Sequence, residues 1–108
     1  MIDGAVQKCA FTPAYRAAII FPTFRQLTDR LPEIRRVLTE IDQDATYQRG
    51  TREWRFANGS TLSLIVAAGA QDASRLYGRR FNEGHMYGDF TVGGWTEVYD
   101  VLRSRIQS

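Results

Sequence analysis

Residues 15–27 read "YRAAIIFPTFRQL", and the reading of this stretch decides the fold class. Ala17 to Phe21 form an unbroken apolar run with two isoleucines, stopped by Pro22. A short run of this kind, bounded by a proline, suits a strand buried on both faces. Thr23 then supplies an N-cap side chain, with Gln26 three residues on as its capping-box partner. From there Phe24, Leu27 and Leu31 fall on one helical face, and Ile34, Leu38 and Ile41 continue it. Pro32 interrupts the stripe, where it either kinks the helix or restarts it as a first-turn residue. Arg25, Arg30, Glu33, Arg35, Arg36 and Glu40 occupy the other faces as a solvated surface.

Downstream the period changes. Trp54 and Phe56 alternate with Glu53 and Arg55, and Leu62 and Leu64 alternate with Thr61 and Ser63. Asn58-Gly59 between them is the strongest hairpin signal in the chain, because a tight type I′ turn needs φ > 0 at both central residues. Alternation then puts Trp54, Phe56, Leu62 and Leu64 on one packed side. Arg49-Gly50 turns an earlier strand, 45 to 48, into the same antiparallel meander. Residues 70 to 78, "AQDASRLYG", suit a short helix ending at Gly78. The stretch 81 to 90, with Phe81, His85, Met86 and Tyr87 as its apolar or aromatic members, fits no single period. Between 94 and 106, Trp95, Val98, Tyr99, Leu102 and Ile106 make a helical stripe. Arg103 and Arg105 fall in its last turns, where positive charge complements the helix dipole. The expectation is one α/β domain over residues 1–108, a sheet with flanking helices and a β-hairpin.

Composition bounds the function. The chain has 108 residues, 44% of them hydrophobic, enough for one modest core. No apolar run approaches the ~20 residues of a membrane span, so no membrane partner is expected. The opening "MIDGAVQKCAFTPAY" has no apolar centre of signal-peptide length, which points to a cytoplasmic protein. Cys9 is the only cysteine and reads as a buried thiol in a reducing compartment. The net charge of +2 does not by itself mark a nucleic-acid binder. Thirteen of the fourteen basic residues are arginine, the side chain suited to bidentate phosphate contacts, although a GC-rich genome also favours arginine over lysine.

Several chemistries lack their residues. One histidine and one cysteine cannot assemble a zinc site of the usual kind. A serine triad would have to use His85, and no G-x-S-x-G elbow exists, so His85 reads as packed or half-exposed. "GAVQKC" (4–9) lacks the second glycine and the hydroxyl of a phosphate-binding loop. Gly78 beside Arg79 and Arg80 offers an anion contact, since a glycine lets a ligand approach the backbone and two guanidinium groups can grip phosphate oxygens. Arg103 and Arg105 are the second choice for phosphate or DNA contact.

The order of segments carries a resemblance. "YRAAIIFPTFRQLTDRLPEI", "REWRFANGSTLSLI", "QDASRLYGRRF", "YGDFT" and "VYDVLRSRI" follow one another over residues 15–106. In this order they resemble the middle of the ATPase domain of phage terminase large subunits. That family has a strand turning a corner into a helix and a hairpin with a W-x-F-x-N-G-S signature. A Y-x-G turn, a strand ending in adjacent acids and a closing helix follow. The resemblance implies part of a P-loop ATPase-like sheet, with the short apolar runs 16–21 and 82–87 as neighbouring strands in it, from a motor that uses ATP and magnesium to drive viral DNA into a capsid. Positioning and electrostatics supply most of the catalysis in such motors.

Laid on this chain, the family's F-D-E-L-T pattern falls on Tyr87 to Thr91. It makes Asp89 the Walker-B-like candidate for both the metal acid and the catalytic acid. In one register Gly88 takes the metal-acid place and Asp89 the glutamate place; shifted by one, Asp89 becomes the metal acid and Phe90 stands where the base belongs. Either register lacks one acid. Phe21-Pro22-Thr23 also replaces the usual arginine of the corner. With no phosphate loop before the first strand, the chain alone is expected to bind no nucleotide tightly and to be inactive. Its implied partners are phage packaging components or DNA. The alternative is a small non-enzymatic α/β interaction module of phage or mobile-element origin, a homo-oligomer covering exposed sheet edges.

Overall fold

A computed structural model describes residues 2–41, 44–67, 80–87 and 95–106. It is an α/β fold in which one mixed five-stranded sheet is covered by helices on both faces. The elements are α1 (Ile2–Phe11), β1 (Arg16–Phe21), α2 (Phe24–Ile41), β2 (Thr46–Gln48), β3 (Glu53–Arg55), β4 (Thr61–Val66), β5 (Glu83–Met86) and α3 (Trp95–Ser104). Strand order is β2-β3-β4-β1-β5. β1 lies between β4 and β5 and is parallel to both, while β2, β3 and β4 form an antiparallel meander. The expected neighbours 16–21 and 82–87 are thus paired, with Ile19 opposite His85.

Strand alternation divides the core in two. Ala17, Ile19 and Phe21 of β1 and Leu62 and Leu64 of β4 pack under α1 and α2, together with Trp54 and Phe56. Ala18, Ile20 and Ile65 face the other way, against Val98 and Leu102 of α3. This explains why β1 reads as a continuous apolar run: both of its faces are dry. Gly84 sits on the α3 face, and a Cβ there would stand 2.7 Å from Leu102 Cδ1, so a larger residue would displace the Leu102 side chain.

Three expectations need correcting. The hairpin turn is not type I′. Gly59 N–H donates to Phe56 O (3.1 Å), Phe56 N–H donates to Ser60 O (2.9 Å), and only Gly59 takes a positive φ, 87°. This is a three-residue loop, a type I turn closed by a left-handed glycine, and Asn58 stays out of the left-handed region. Trp54, Phe56, Leu62 and Leu64 nevertheless share one face as expected. Second, Phe24 and Tyr99 are exposed (57% and 43%), because each lies at the margin of its helical stripe; the Trp95 side chain lies outside the description, and Ile106 follows the helix as a bridge to Phe81. Third, residues 2–11, read only as a failed phosphate loop, form a helix that buries Ile2, Ala5, Val6 and Cys9.

Other readings hold. Gln26 N–H donates to Thr23 Oγ1 (3.1 Å), the expected N-cap bond. Pro32 lies inside one helix running from Phe24 to Ile41. Its interior position normally costs about 3 kcal/mol, but Leu27, Ile34, Val37 and Leu38 are buried on both sides of it and hold the helix to the sheet. The expected short helix at 70–78 lies outside the described residues.

Candidate functional site

The chain leaves β1 into α2 on one face of the sheet, while α3, which follows β5, covers the other. Two adjacent parallel strands whose connections part in this way open a crevice beyond their carboxyl ends, the usual ligand position in open α/β sheets. Tyr87 stands at that end of β5. Its N–H donates to Ile20 O (2.8 Å), and its ring meets Phe21 edge-on at 5.9 Å, with the Arg30 guanidinium 5.1 Å above it. A cleft of about 290 Å³ there is lined by Ile2, Asp3, Glu33 and Tyr87, so α1 begins at this end of the sheet. Gly88 and Asp89 follow Tyr87 directly and lie outside the described residues, as do Gly78 and Arg79.

The remaining arginine candidates come together elsewhere. Phe81 N–H donates to Arg105 O (2.7 Å), and Phe81 bridges Ile106, which brings exposed Arg80 beside the end of α3. Arg103 is exposed with its guanidinium 5.8 Å from the Tyr99 ring, and Arg105 is half-buried. Arg80, Arg103 and Arg105 therefore gather at the amino end of β5. Tyr87, at its carboxyl end, is roughly 20 Å away along the strand. These arginines and the approach to Asp89 belong to different ends of the sheet.

The amino end also holds a polar centre that sequence reasoning missed. Parallel register places Glu83 and His85 beside Ala17 and Ile19, on the α1 face. Glu83 accepts from the Tyr15 hydroxyl at 2.7 Å, lies 3.3 Å from Lys8 Nζ, and its second oxygen is 2.5 Å from His85 Nε2. Burial pushes its carboxyl upward, but the bonds from His85, Tyr15 and Lys8 outweigh burial and leave it below its ordinary value. Burial, the bond to Glu83 and the nearby negative charges hold the Tyr15 hydroxyl well above the usual tyrosine range. Cys9 is also buried; desolvation, and then the Glu83 charge, push its thiol up to about 12. It donates to Thr61 O at 3.5 Å. A thiol this hard to ionise is a poor nucleophile. The only sequence signal for the centre was the i, i+2 spacing of Glu83 and His85, which becomes meaningful once α1 is known to lie above them.

The hairpin turn completes this end. Asn58 Nδ2 donates to Cys9 O (2.9 Å) and Ala10 O (3.1 Å), and its Oδ1 accepts from Ser60 N–H (3.0 Å). Buried Ser60 donates its hydroxyl to Thr12 O (2.8 Å) and accepts from Tyr15 N–H (2.9 Å). The last carbonyls of a helix have no partner within the helix; here the turn between β3 and β4 supplies them for α1. Among the described residues no group of three His, Cys, Asp or Glu side chains is placed to hold a metal, and no helix is long and apolar enough to cross a membrane.

No family model, no curated protein and no solved structure matches this chain.

Proposed function

We propose that this chain is the middle part of a terminase-like DNA-packaging ATPase, inactive without a phosphate-binding loop. The observation that carries the reading is the parallel pairing of β1 with β5, which puts the segment leading into Asp89 in the central sheet beside the strand that turns into α2. Two features support it. The W-x-F-x-N-G-S hairpin flanks the same sheet, and α1 begins at the carboxyl end, near Tyr87. A phosphate-binding loop ahead of α1 would there face Tyr87 and the end of β5, and Asp89, next but one in the chain after Tyr87, would hold magnesium or orient the attacking water. Phosphoryl transfer depends on such positioning.

The test is ATP turnover with magnesium, measured on the chain and on the same chain carrying a phosphate-binding loop ahead of Ile2. The chain alone shows no turnover; the extended chain hydrolyses ATP, and Asp89→Ala abolishes the rate. Asp89-dependent turnover by the chain alone overturns the inactivity, and an extended chain that binds no ATP overturns the family reading. One observation favours the interaction-module alternative: among the described residues β5 forms a sheet edge with half-buried side chains, and such edges pair with further strands. A concentration-dependent mass by light scattering would favour it.

A further inference from the structure

We infer that Arg49 and Arg52, in the turn between β2 and β3, form a binding site for the phosphate group of a nucleic acid backbone or a nucleotide. The turn and the end of β4 enclose an open cleft of about 360 Å³, lined by Arg49 to Arg52 and by Leu64 to Val66, with no acidic residue among them. Arg30 pairs with Glu33, Arg36 with Glu40 and Arg55 with Glu53. Arg49 and Arg52 have no carboxylate partner among the described residues. Arg16, Arg25 and Arg35 also lack one among those residues, but Arg49 and Arg52 line a common cleft.

Arg52 is also held in place. Its backbone takes a φ of 53°, its carbonyl accepts from Leu64 N–H (2.9 Å), and its guanidinium lies 4.8 Å from the ring of exposed Phe24. A cation–π contact engages the charge and consumes no N–H donor, so the guanidinium fork remains available to an oxyanion. The strand adds a backbone donor. Leu64 N–H points toward β3, and Ala67 N–H points the other way, to Phe21 O. Alternation therefore directs Val66 N–H to the β3 side, beyond the last β3 pair at Glu53 and Ser63, and into the cleft. Two arginines and one amide lining a space of this size match the oxygens of a phosphate. The site lies at the carboxyl ends of β1 and β4 and stands whether or not the chain belongs to a motor.

Fluorescence anisotropy tests it on the full chain with two probes, a labelled DNA duplex and a fluorescent ATP analogue, each across a salt series. The variants are Arg49→Ala combined with Arg52→Gly, in which glycine accepts the left-handed backbone, and Arg103→Ala combined with Arg105→Ala. Melting curves check folding; should the first pair unfold, Arg49→Ala alone is measured. The expected result is that at least one probe binds at low salt and that the 49/52 pair weakens it about tenfold or more, whereas the 103/105 pair does not. For the duplex, losing two phosphate contacts lowers the slope of log affinity against log salt by roughly 1.8. Loss confined to the duplex identifies a nucleic acid backbone as the source, and loss confined to the analogue identifies a nucleotide. The inference is overturned if neither probe binds, or if the 49/52 pair binds both with unchanged affinity and slope.

Discussion

The two ends of the sheet treat charge in opposite ways. At the amino end Glu83 is surrounded by Tyr15, Lys8 and His85, and the side chains of Asn58 and Ser60 bond the last carbonyls of α1. At the carboxyl end Arg49 and Arg52 line an open cleft without a carboxylate, and Phe24 stands in solvent beneath Arg52. Partially buried polar groups must be paired, because leaving one unsatisfied costs about 1–3 kcal/mol. Arg49 is exposed and Arg52 keeps its guanidinium on the exposed Phe24 ring, so neither faces that demand. The Glu83 centre therefore reads as structure, and the Arg49–Arg52 cleft as surface available for binding.

Four measurements break or sharpen that contrast, beginning with the largest effect. With its thiol raised from 9.0 to about 12, native Cys9 should react with a thiol reagent at pH 8 on the order of a thousandfold more slowly than in the denatured chain. Equal rates would mean that the amino end opens freely. Next, Asn58→Ala combined with Ser60→Ala strips the cap from α1 and leaves Tyr15 N–H and Thr12 O without partners. Urea unfolding should register a loss of about 3–5 kcal/mol. A loss below about 1 kcal/mol would reduce the cap to a surface contact.

Glu83→Gln comes third, with a loss of about 1–2 kcal/mol at pH 7, since the amide accepts from Tyr15 but forfeits the charge-assisted bonds. Because the folded carboxyl is held below its unfolded value of roughly 4.3, its contribution is complete above that pH and disappears as pH falls through the folded value. The gap between wild type and Glu83→Gln should therefore narrow as pH falls below the unfolded value, and a gap independent of pH would assign the loss to packing. The smallest effect belongs to the carboxyl end. Arg49→Ala with Arg52→Gly should cost no more than about 1 kcal/mol, since Arg49 is exposed and half-buried Arg52 gives up one cation–π contact with exposed Phe24.

Much of the architecture was legible because it rests on local signals. The apolar run before Pro22 marks β1, Thr23 caps α2, and Leu62 and Leu64 alternate along β4. The glycine of Asn58-Gly59 marked the hairpin correctly, but the loop length was misread, because an Asn-Gly pair fits both a two-residue turn and a three-residue loop with a left-handed glycine. Helix α1 was missed. Its apolar stripe consists of Ile2, Ala5, Val6 and Cys9, two of them small, and it becomes a helix face only against the sheet. Nearness to Gly78 singles out Arg79 and Arg80, a local criterion that says nothing about which acids lie close in space.

By itself the sequence determined the α/β class and the shared face of Trp54, Phe56, Leu62 and Leu64, while the pairing of 16–21 with 82–87 was expected from the family resemblance. Periodicity and turn chemistry act over a few residues and are written in the chain. Only the tertiary structure decided that Asn58 caps a helix 48 residues earlier, that Glu83 gathers Lys8 and Tyr15, and that Arg49 and Arg52 are left without acids. Charge pairing and burial depend on which distant segments meet, and sheet order sets that.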